Sequence, residues 1–367
     1  MIYIHIPFCK SRCLYCDFFS TTSREHMGAF VKALMNEMEG RAEELAHARA
    51  NTIYIGGGTP SQLPGDCIKA IFETLQSIVP LEHGAEVTIE CNPDDIDADF
   101  LDALAGTPVN RVSMGVQTFD DNLLRLLRRR HNAMQARDAV AMLRQAGYHN
   151  ISLDLMYGLP GQTMDMWKKD VDELLAMNVP HMSAYSLQWE EGTPLFRMLE
   201  KGQVEEAPEE LSLEMYRYLV HATSVAGMEH YEISNFAMPG MRARHNSGYW
   251  RNEPYVGLGP GAHSYDGNRR RCSNPTDLAG YIESRGLPQM DVEILDDDAL
   301  YEEQVLKALR TRDGLNVHSL PQKYRNYALR MAKPHLESGR LSMEQNVLRL
   351  TEEGIFVSND IMSDMML

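Results

Sequence analysis

Three cysteines near the amino terminus, Cys9, Cys13 and Cys16, constrain this chain more than any other feature. They lie at spacings of four and three residues, directly after an alternating, Ile- and Tyr-rich run that predicts a first strand. A structural zinc site needs four protein ligands, whereas three thiolates can hold three irons of a [4Fe–4S] cluster. The fourth iron then stays open for a small chelating ligand. The spacing therefore favours such a cluster, placed at the end of a strand.

Two other uses of the three thiols are a disulfide with one free cysteine and a zinc site completed from elsewhere. The remaining cysteines, Cys67, Cys91 and Cys272, are scattered and supply no second Cys-x-x-Cys pair. No secretory signal precedes the first strand, and no apolar run approaches the length of a membrane span. We therefore expect a protein of the reducing cytoplasm.

The chain is acidic, with 52 Asp and Glu against 35 Lys and Arg and a formal net charge of −17. Such a charge repels the phosphates of nucleic acids and anionic membrane surfaces. The best basic patch, at residues 128–130, is short. The sequence therefore predicts no nucleic-acid partner, and any association with membrane proteins is expected to be peripheral.

Apolar runs alternate with amphipathic segments over the first half of the chain, which predicts parallel βα units. Strands are expected near residues 1–7, 51–55, 86–90, 111–117, 150–155 and 181–187, with a weaker one at 231–234. The main helices are expected near residues 25–45, 66–79, 133–146, 164–177 and 203–227. This pattern predicts an α/β fold, either a barrel or a partly open one.

The composition becomes acidic and loop-like near residues 286–298, which suggests a domain boundary. We expect a large domain over residues 1–288 and a small one over residues 289–367. In the small domain, helices over 299–311 and 321–336 precede a hairpin over 340–350, an order typical of winged-helix-like modules. It has no basic recognition face, so we interpret it as a structural or interaction domain.

Glu90, Gln117 and Asp154 each end an otherwise apolar strand. In parallel barrels, functional groups gather at the carboxyl ends of strands. A desolvated carboxylate needs partners, which either a cationic ligand or neighbouring arginines and helix ends can supply. Gly56–Gly58 end another strand, where glycine lets the backbone approach a ligand, although a tight turn needs glycine too. Together these strand ends favour a binding site.

A second candidate site lies at residues 244–250, where His245 precedes Tyr249 and Trp250. An imidazole beside aromatic rings suits a flat, apolar macrocycle that carries a metal, but it is also common in a packed core. The residues alone leave both interpretations open. The glycine-rich stretch 257–265, expected to be a loop over the mouth of the barrel, contains the nearest competing ligand, His263.

The cysteine motif resembles the signature of the radical S-adenosylmethionine (SAM) superfamily. The whole chain resembles the HemN/HemW group of that superfamily, which contains an oxygen-independent coproporphyrinogen III oxidase and a haem chaperone. The motifs that carry the resemblance are residues 3–9, 56–61, 115–119, 154–161 and 257–264. It implies a partial (β/α) radical SAM barrel with the group's own C-terminal module.

The resemblance also implies cofactors: a [4Fe–4S] cluster, SAM on its open iron, and haem. Cys9, Cys13 and Cys16 match the cluster ligands. The positions that match SAM contacts are Tyr3, Tyr15, Gly57, Gly58, Thr59, Glu90, Gln117, Arg129 and Asp154. His245, Tyr249 and Trp250 match the haem-binding stretch of the chaperone branch.

Three features separate this chain from the group's oxidase. Phe18 stands where the oxidase has a further cysteine, the oxidase's N-terminal extension is missing, and the pattern from His245 to Trp250 resembles the chaperone branch. That branch often has Arg where this chain has Ser247. We therefore expect a haem chaperone that passes haem to acceptor proteins, with the cluster and SAM in support. The alternatives are decarboxylation of coproporphyrinogen III and, less favoured, radical modification of tRNA.

Overall fold

The computed structural model describes residues 1–48 and 50–367. Within these residues the largest sheet has nine strands, in the order β7-β8-β6-β5-β4-β3-β2-β1-β9. The strands are β1 Ile2–Ile6, β2 Ala50–Gly57, β3 Leu81–Cys91, β4 Arg111–Gln117, β5 Asn150–Tyr157, β6 His181–Ser186, β7 Glu229–Glu232, β8 Asn235–Ala237 and β9 Val256–Leu258.

Strands β1 to β6 run parallel to one another, and β9 runs parallel to β1. At the other edge, β8 pairs antiparallel with both β6 and β7. Among the described residues β7 and β9 do not pair, so the sheet stays open. The predicted α/β fold with a partial (β/α) barrel is confirmed.

Helices connect the parallel strands and bury their apolar faces against the sheet, where one large hydrophobic core forms. The helices are α1 Met27–Gly40, α2 Ala42–His47, α3 Gly65–Ile78, α4 Ala98–Ala105, α5 Asp121–Leu126, α6 Ala133–Gln145, α7 Met164–Ala176, α8 Pro194–Glu200, α9 Glu209–Val225, α10 Arg244–Trp250, α11 Leu278–Glu283, α12 Asp297–Leu309, α13 Gln322–Glu337, α14 Glu352–Phe356 and α15 Ser358–Asp364.

The prediction of one helix over residues 25–45 was wrong, because the helix breaks at Arg41. Arg41 forms an ion pair with Glu37 at 2.9 Å, and its guanidinium also donates to the Gly257 carbonyl at 2.7 Å. The predicted start of α9 at residue 203 was also wrong. Pro208 precedes the first helical residue and has extended backbone angles, so the helix begins at Glu209.

The glycine-rich stretch 257–265 is only partly a loop. It forms the end of β9 and then a strand β10, His263–Tyr265. The carboxylate of Glu37, which is 1% exposed, fixes this stretch by accepting hydrogen bonds from the Gly259 amide at 2.8 Å and from Asn274 at 2.8 Å. The prediction of a loop was therefore wrong at both ends of this stretch, which are strands.

Two small sheets complete the fold. Strand β10 pairs with β11 Arg270–Ser273, which pairs with β12 Asp291–Ile294. The other sheet contains β13 Leu315–Asn316, β14 Leu341–Glu344 and β15 Val347–Leu350. It packs with α12, α13 and α15 around a second hydrophobic core, whose buried residues lie between Tyr301 and Met365 in the sequence. The predicted boundary after residue 288 falls between β11 and β12, within the first of these sheets.

None of the described helices combines the length and the hydropathy that crossing a bilayer requires.

Candidate functional site

A cavity of about 530 Å³ opens at the carboxyl ends of β2 to β6. Strand ends of a parallel sheet meet at one edge, so residues far apart in sequence converge there. All three predicted cluster cysteines line this cavity, and so do all but one of the predicted SAM residues: Tyr15, Gly57, Gly58, Thr59, Glu90, Gln117, Arg129 and Asp154. Tyr3 is not among the lining residues. The same cavity also includes Phe18, Asn92, Met156 and Tyr185.

The cysteine loop is fixed by one backbone hydrogen bond within itself and by two to other parts of the chain. The Cys9 amide donates to the Thr21 carbonyl at 2.9 Å, which closes the loop on itself. The Leu14 amide donates to the Leu127 carbonyl at 3.2 Å, and the Leu14 carbonyl accepts from the Leu195 amide at 2.9 Å. The loop is therefore held between the end of α5 and the start of α8.

The three thiols fit a cluster better than they fit a disulfide or a single metal ion. Cys9, Cys13 and Cys16 are free thiols. Among the described residues, no three side chains of His, Cys, Asp or Glu converge on one metal ion. In a [4Fe–4S] cluster each thiolate binds a different iron, so such convergence is not needed. Two of the thiols also receive hydrogen bonds: Thr59 Oγ1 lies 3.5 Å from Cys9 Sγ, and Arg129 Nη1 lies 3.4 Å from Cys13 Sγ.

The glycines at the end of β2 are required by the protein's own packing. A Cβ on Gly57, whose φ is +109°, would lie 2.6 Å from the His5 ring, and a Cβ on Gly58 would lie 2.8 Å from the Phe8 carbonyl oxygen. The amide of Gly58 donates to the Ile6 carbonyl at 2.8 Å. The glycine run thus lets the end of β2 approach the start of the cysteine loop, while Gly57 and Gly58 still line the cavity.

Glu90 and Asp154 are carboxyl groups in a desolvated position. Burial raises the pKa of Glu90 to about 7, although the Tyr54 hydroxyl donates to it at 2.7 Å and opposes that rise. Burial likewise raises the pKa of Asp154 to about 6, against the effects of the Ser183 hydroxyl and of Arg111. Among the described residues neither carboxylate forms an ion pair. They are therefore ready to accept a cationic or hydroxyl-bearing ligand.

Gln117 ends β4 in a strained backbone conformation. Its φ is +69°, and the register between β4 and β5 shifts between Gly115 and Gln117. A Cβ at Gly115 would lie 2.8 Å from the Gln117 side-chain nitrogen. A residue other than glycine in the left-handed backbone region is uncommon, and such residues are often found at ligand sites. The bulge turns the Gln117 amide towards the cavity that it lines.

Tyr3 does not line the cavity and contacts His5, which in turn contacts the end of the cysteine loop. Its hydroxyl lies 3.0 Å from His5 Nδ1, and His5 Nε2 lies 3.0 Å from the Phe19 carbonyl. A carbonyl only accepts, so Nε2 carries the proton and Nδ1 accepts from Tyr3. Burial lowers the pKa of His5, which keeps the ring neutral. Tyr3 and His5 therefore tie β1 to the end of the cysteine loop.

His245 is 1% exposed and both of its ring nitrogens have partners. Nδ1 lies 2.8 Å from Thr52 Oγ1, and Nε2 lies 3.0 Å from the Tyr249 hydroxyl. Glu86 caps the helix by accepting from the backbone amides of residues 244 and 245, each at 3.0 Å. Burial lowers the pKa of His245 to about 3, so the imidazole is neutral. Its competitor His263 is exposed.

The predicted haem residues divide between two faces of α10. His245 and Tyr249 contact each other and face the sheet. Trp250 lines a separate cavity of about 260 Å³ between α10 and the C-terminal unit, together with Ser247 and Thr311. The Ser247 hydroxyl donates a hydrogen bond to the Ala243 carbonyl at 2.7 Å. The structure therefore brings His245 and Tyr249 together and places Trp250 apart from them.

Three residues that contact the predicted site were missed by the sequence interpretation. Asn92 contacts both Thr59 and Arg129, His5 packs on Gly57, and Tyr54 donates to Glu90. Asn92 directly follows β3, so the argument that selected Glu90 applies to it as well. The side chains of Tyr54 and His5 act through contacts between strands, for which the sequence holds no signal.

Comparison with known proteins extends the likeness beyond this cavity. Residues 3–174 match the profile of the Radical SAM superfamily. The haem chaperone HemW of Bacillus subtilis is 34% identical over 98% of this chain and 97% of its own length. The haem chaperones HemW of Lactococcus lactis and Escherichia coli are 36% and 33% identical, over 88% and 80% of this chain and 84% and 79% of their own lengths.

Among solved structures, the coproporphyrinogen III oxidase HemN of Escherichia coli, a radical SAM enzyme, superimposes with a TM-score of 0.84. The match covers 99% of this chain and 89% of that one at 22% identity. At this identity the likeness establishes the fold alone.

Proposed function

This chain belongs to the radical SAM superfamily and to the family of the haem chaperone HemW, and from that membership we propose that it binds haem and passes it to acceptor proteins. The observation that carries the proposal is the likeness to the Bacillus subtilis chaperone, which extends from end to end of both chains. The C-terminal unit is therefore included in it. Phe18 at the rim of the cavity, where the oxidase of the group has cysteine, supports the same assignment.

Membership in the superfamily implies SAM and a [4Fe–4S] cluster. We assign the cluster to Cys9, Cys13 and Cys16, whose free thiols line the cavity at the end of β1. When bound, the cluster supplies one-electron chemistry to SAM. SAM carries an ammonium, a sulfonium and ribose hydroxyls, which suit the unpaired carboxylates of Glu90 and Asp154. Arg129 Nε is buried without an acceptor among the described residues and is available for the SAM carboxylate.

We assign haem ligation to His245, supported by its neutral imidazole and by its place in a stretch similar to the chaperone branch. Since both ring nitrogens are occupied, ligation requires the Tyr249 contact or the Thr52 contact to open. The cytoplasmic location, the lack of a nucleic-acid partner and peripheral contact with membrane proteins remain predictions of the sequence.

The test separates the chaperone from the oxidase. Reconstituted protein is incubated with haemin in one reaction and with coproporphyrinogen III in another, each with SAM and a reductant. We expect a Soret band that survives gel filtration, transfer of that haem to apomyoglobin, and no release of carbon dioxide from coproporphyrinogen III. Release of carbon dioxide without retention of haem would assign the protein to the oxidase branch.

Two single variants locate the haem ligand. His245→Ala is expected to lose retained haem, whereas His263→Ala is expected to keep it. The reverse result moves the ligand to the exposed His263. Iron and sulfide analysis of the variant with Cys9, Cys13 and Cys16 all replaced by Ala tests the cluster separately, since this variant should lose both elements and keep haem binding.

A further inference from the structure

We propose that Asn92 is a positioning residue that aims two hydrogen-bond donors, Arg129 and Thr59, at the thiolates of the cluster and thereby raises its reduction potential. Asn92 directly follows β3 and lines the cavity with the cysteines. The proposal rests on the assignment of the cluster to Cys9, Cys13 and Cys16. It concerns a residue outside the predicted cluster and SAM contacts.

The orientation of the Asn92 amide follows from its neighbours. Its Oδ1 lies 2.6 Å from Arg129 Nη2, and its Nδ2 lies 3.4 Å from Thr59 Oγ1. A guanidinium only donates, so the atom that faces it must be the oxygen. The nitrogen then faces Thr59 and donates to its hydroxyl. This leaves the hydroxyl proton of Thr59 free to point elsewhere.

Both donors continue to a thiol. Thr59 Oγ1 lies 3.5 Å from Cys9 Sγ, and Arg129 Nη1 lies 3.4 Å from Cys13 Sγ. The three side chains therefore form one directed hydrogen-bond network with Asn92 at its centre, which ends on two of the three cluster ligands. Both distances are ordinary for a hydrogen bond to the large sulfur atom, and each is set by the groups that hold the donor in place.

Backbone hydrogen bonds fix the two donors of this network. The Thr59 amide donates to the Phe8 carbonyl at 2.7 Å. The Arg129 amide donates to the Leu124 carbonyl at 2.8 Å, after Arg128 has turned the chain at a φ of +56°. Arg129 Nη2 also donates to the Gly115 carbonyl. A Cβ at Gly115 would lie 3.3 Å from Nη2 and 2.8 Å from the Gln117 side-chain nitrogen, so a larger residue there would displace these side chains.

Hydrogen bonds to cluster sulfurs are one of the factors that set the reduction potential of an Fe–S cluster. They withdraw electron density from the thiolate, so they stabilise the reduced cluster, which carries one more negative charge. Arg129 adds a positive charge to the same effect. Loss of the network should therefore move the potential to a more negative value, and Asn92 can be removed without any change in net charge.

The test is a redox titration of the reconstituted cluster without SAM, followed by electron paramagnetic resonance. Asn92→Leu, which has similar volume and no polar atoms, should shift the midpoint potential to a more negative value. Thr59→Val should shift it in the same direction by a smaller amount, because Arg129 still contacts Cys13. Gln188→Leu is the matched control, because it makes the same uncharged change from an amide to Leu in the same cavity and Gln188 has no hydrogen bond to a thiol among the described residues. This variant should keep the wild-type potential.

Resonance Raman spectra measure the Fe–S(Cys) stretching frequency, which responds to a hydrogen bond on sulfur and is not changed by altered packing alone. Loss of a hydrogen bond to sulfur strengthens the Fe–S bond, so the Fe–S(Cys) stretching bands of Asn92→Leu should move to higher frequency. A wild-type potential and wild-type bands in Asn92→Leu, with full iron and sulfide, would overturn the proposal. If that variant assembles no cluster, Thr59→Val decides, and an unshifted potential there overturns it. A wild-type protein without a cluster overturns the cluster assignment and this proposal, while haem binding is read separately from the Soret band.

Discussion

At the scale of single residues, Glu90 shows how a site can be unfavourable for the free protein and favourable for its ligand. Its pKa is about 7 in the folded chain, against an ordinary value of 4.5. Between these values the folded state holds the proton more tightly than the unfolded chain does. The free energy of unfolding should therefore fall as the pH rises through this range. Asp154, with a pKa of about 6, acts in the same direction.

Glu90→Gln should therefore stabilise the SAM-free protein at neutral pH by on the order of 1–3 kcal/mol, because a neutral amide removes the desolvated charge. The same change should weaken SAM binding, since the carboxylate no longer attracts a cation. In the wild type, SAM affinity should fall as the pH drops below about 7. Urea unfolding between about pH 5 and pH 8 and calorimetric SAM titrations measure the two effects.

Glu86→Gln is the matched control. Glu86 and Glu90 lie on the same strand and each accepts two hydrogen bonds, but both donors to Glu86 are backbone amides at the start of α10. This variant should lose stability, since a charged acceptor at a helix N-terminus is replaced by an amide. Equal stability of Glu90→Gln and the wild type across the pH range would contradict the argument from desolvation.

Gly58 separates the packing role of the glycine run from a role in ligand binding. A Cβ there would lie 2.8 Å from the Phe8 carbonyl and 2.9 Å from the Ile6 carbonyl, both of them backbone atoms that cannot rotate away. Gly58→Ala should therefore lower the free energy of unfolding by about 1–3 kcal/mol even without cofactors. Gly28→Ala, in α1 with open space around it, should be neutral or slightly stabilising. Denaturant unfolding of the two variants tests the difference, and equal stability would contradict it.

At the scale of elements, α10 is held by groups on two strands that also build the SAM cavity. Thr52 and Tyr54 lie on β2, and Glu86 and Glu90 lie on β3. Thr52 and Glu86 contact α10. Tyr54 and Glu90 contact each other across the two strands, where the Tyr54 hydroxyl donates to Glu90 at 2.7 Å. The ring of Tyr54 also lies 5.3 Å from the ring of His245. Strands β2 and β3 therefore position both the candidate haem ligand and the SAM cavity.

Haem uptake through His245 should be limited by the opening of its hydrogen bonds. Tyr249→Phe keeps the ring and removes the hydroxyl that occupies Nε2 at 3.0 Å. One hydrogen bond contributes about 0.5–1.5 kcal/mol, so haemin association should become roughly two- to tenfold faster. Stopped-flow measurement of the Soret band gives the rate. Tyr255→Phe is the control, because its ring packs on Tyr249 at 4.7 Å without a hydrogen bond to His245. Wild-type rates in Tyr249→Phe would point to entry through the Thr52 contact at Nδ1, and wild-type rates in both Tyr249→Phe and Thr52→Val would place the ligand elsewhere.

The strand predicted at residues 231–234 was wrong, because this stretch is the end of β7 and the turn to β8, and β3 begins at Leu81 rather than near residue 86. The other strands of the parallel sheet up to β6 were predicted with small errors at their ends, because buried parallel strands are continuous apolar runs. Elements that depend on distant contacts were not. The break at Arg41 results from its contacts with Gly257 and Ser264, more than 200 residues away. The stretch 244–250 has no helical period in its apolar residues, and it is helical because Glu86 satisfies its first amides.

The same division applies to the candidate site. Cysteine spacing and polar strand ends selected residues that the structure brings to one cavity, since strand order alone fixes where strand ends meet. Asn92 and the split of α10 into two faces depend on side-chain directions, which the sequence does not encode locally. Trp250 shows this most clearly: it is one residue from Tyr249 and faces a different cavity.

At the scale of the whole molecule, the C-terminal unit packs against the barrel beside α10. The Arg312 amide donates to the Tyr231 carbonyl at 3.0 Å, and the Ile233 amide donates to the Arg310 carbonyl at 3.0 Å. Lys307 reaches Asn252, just after α10, at 2.6 Å. The helix therefore lies between the sheet on one side and the C-terminal unit on the other. A haem that reaches His245 must pass one of these two contacts.

The net charge of −17 gives the last prediction, which separates the haem chaperone from a radical SAM enzyme that modifies RNA. Binding to RNA gains most of its free energy from contacts between basic side chains and phosphates. The two longest basic runs, residues 128–130 and 269–271, are largely engaged within the chain. Arg129 contacts Cys13 and Asn92, and Arg130 pairs with Asp94 and Asp95. Arg269 pairs with Asp297, and Arg271 pairs with Glu293 and Glu303. Fluorescence anisotropy should therefore show no binding of a labelled tRNA at about 0.15 M salt, with or without the cluster. Saturable binding that weakens as salt is raised would contradict this and would favour the RNA enzyme, whereas retention of haem by the same preparation supports the chaperone.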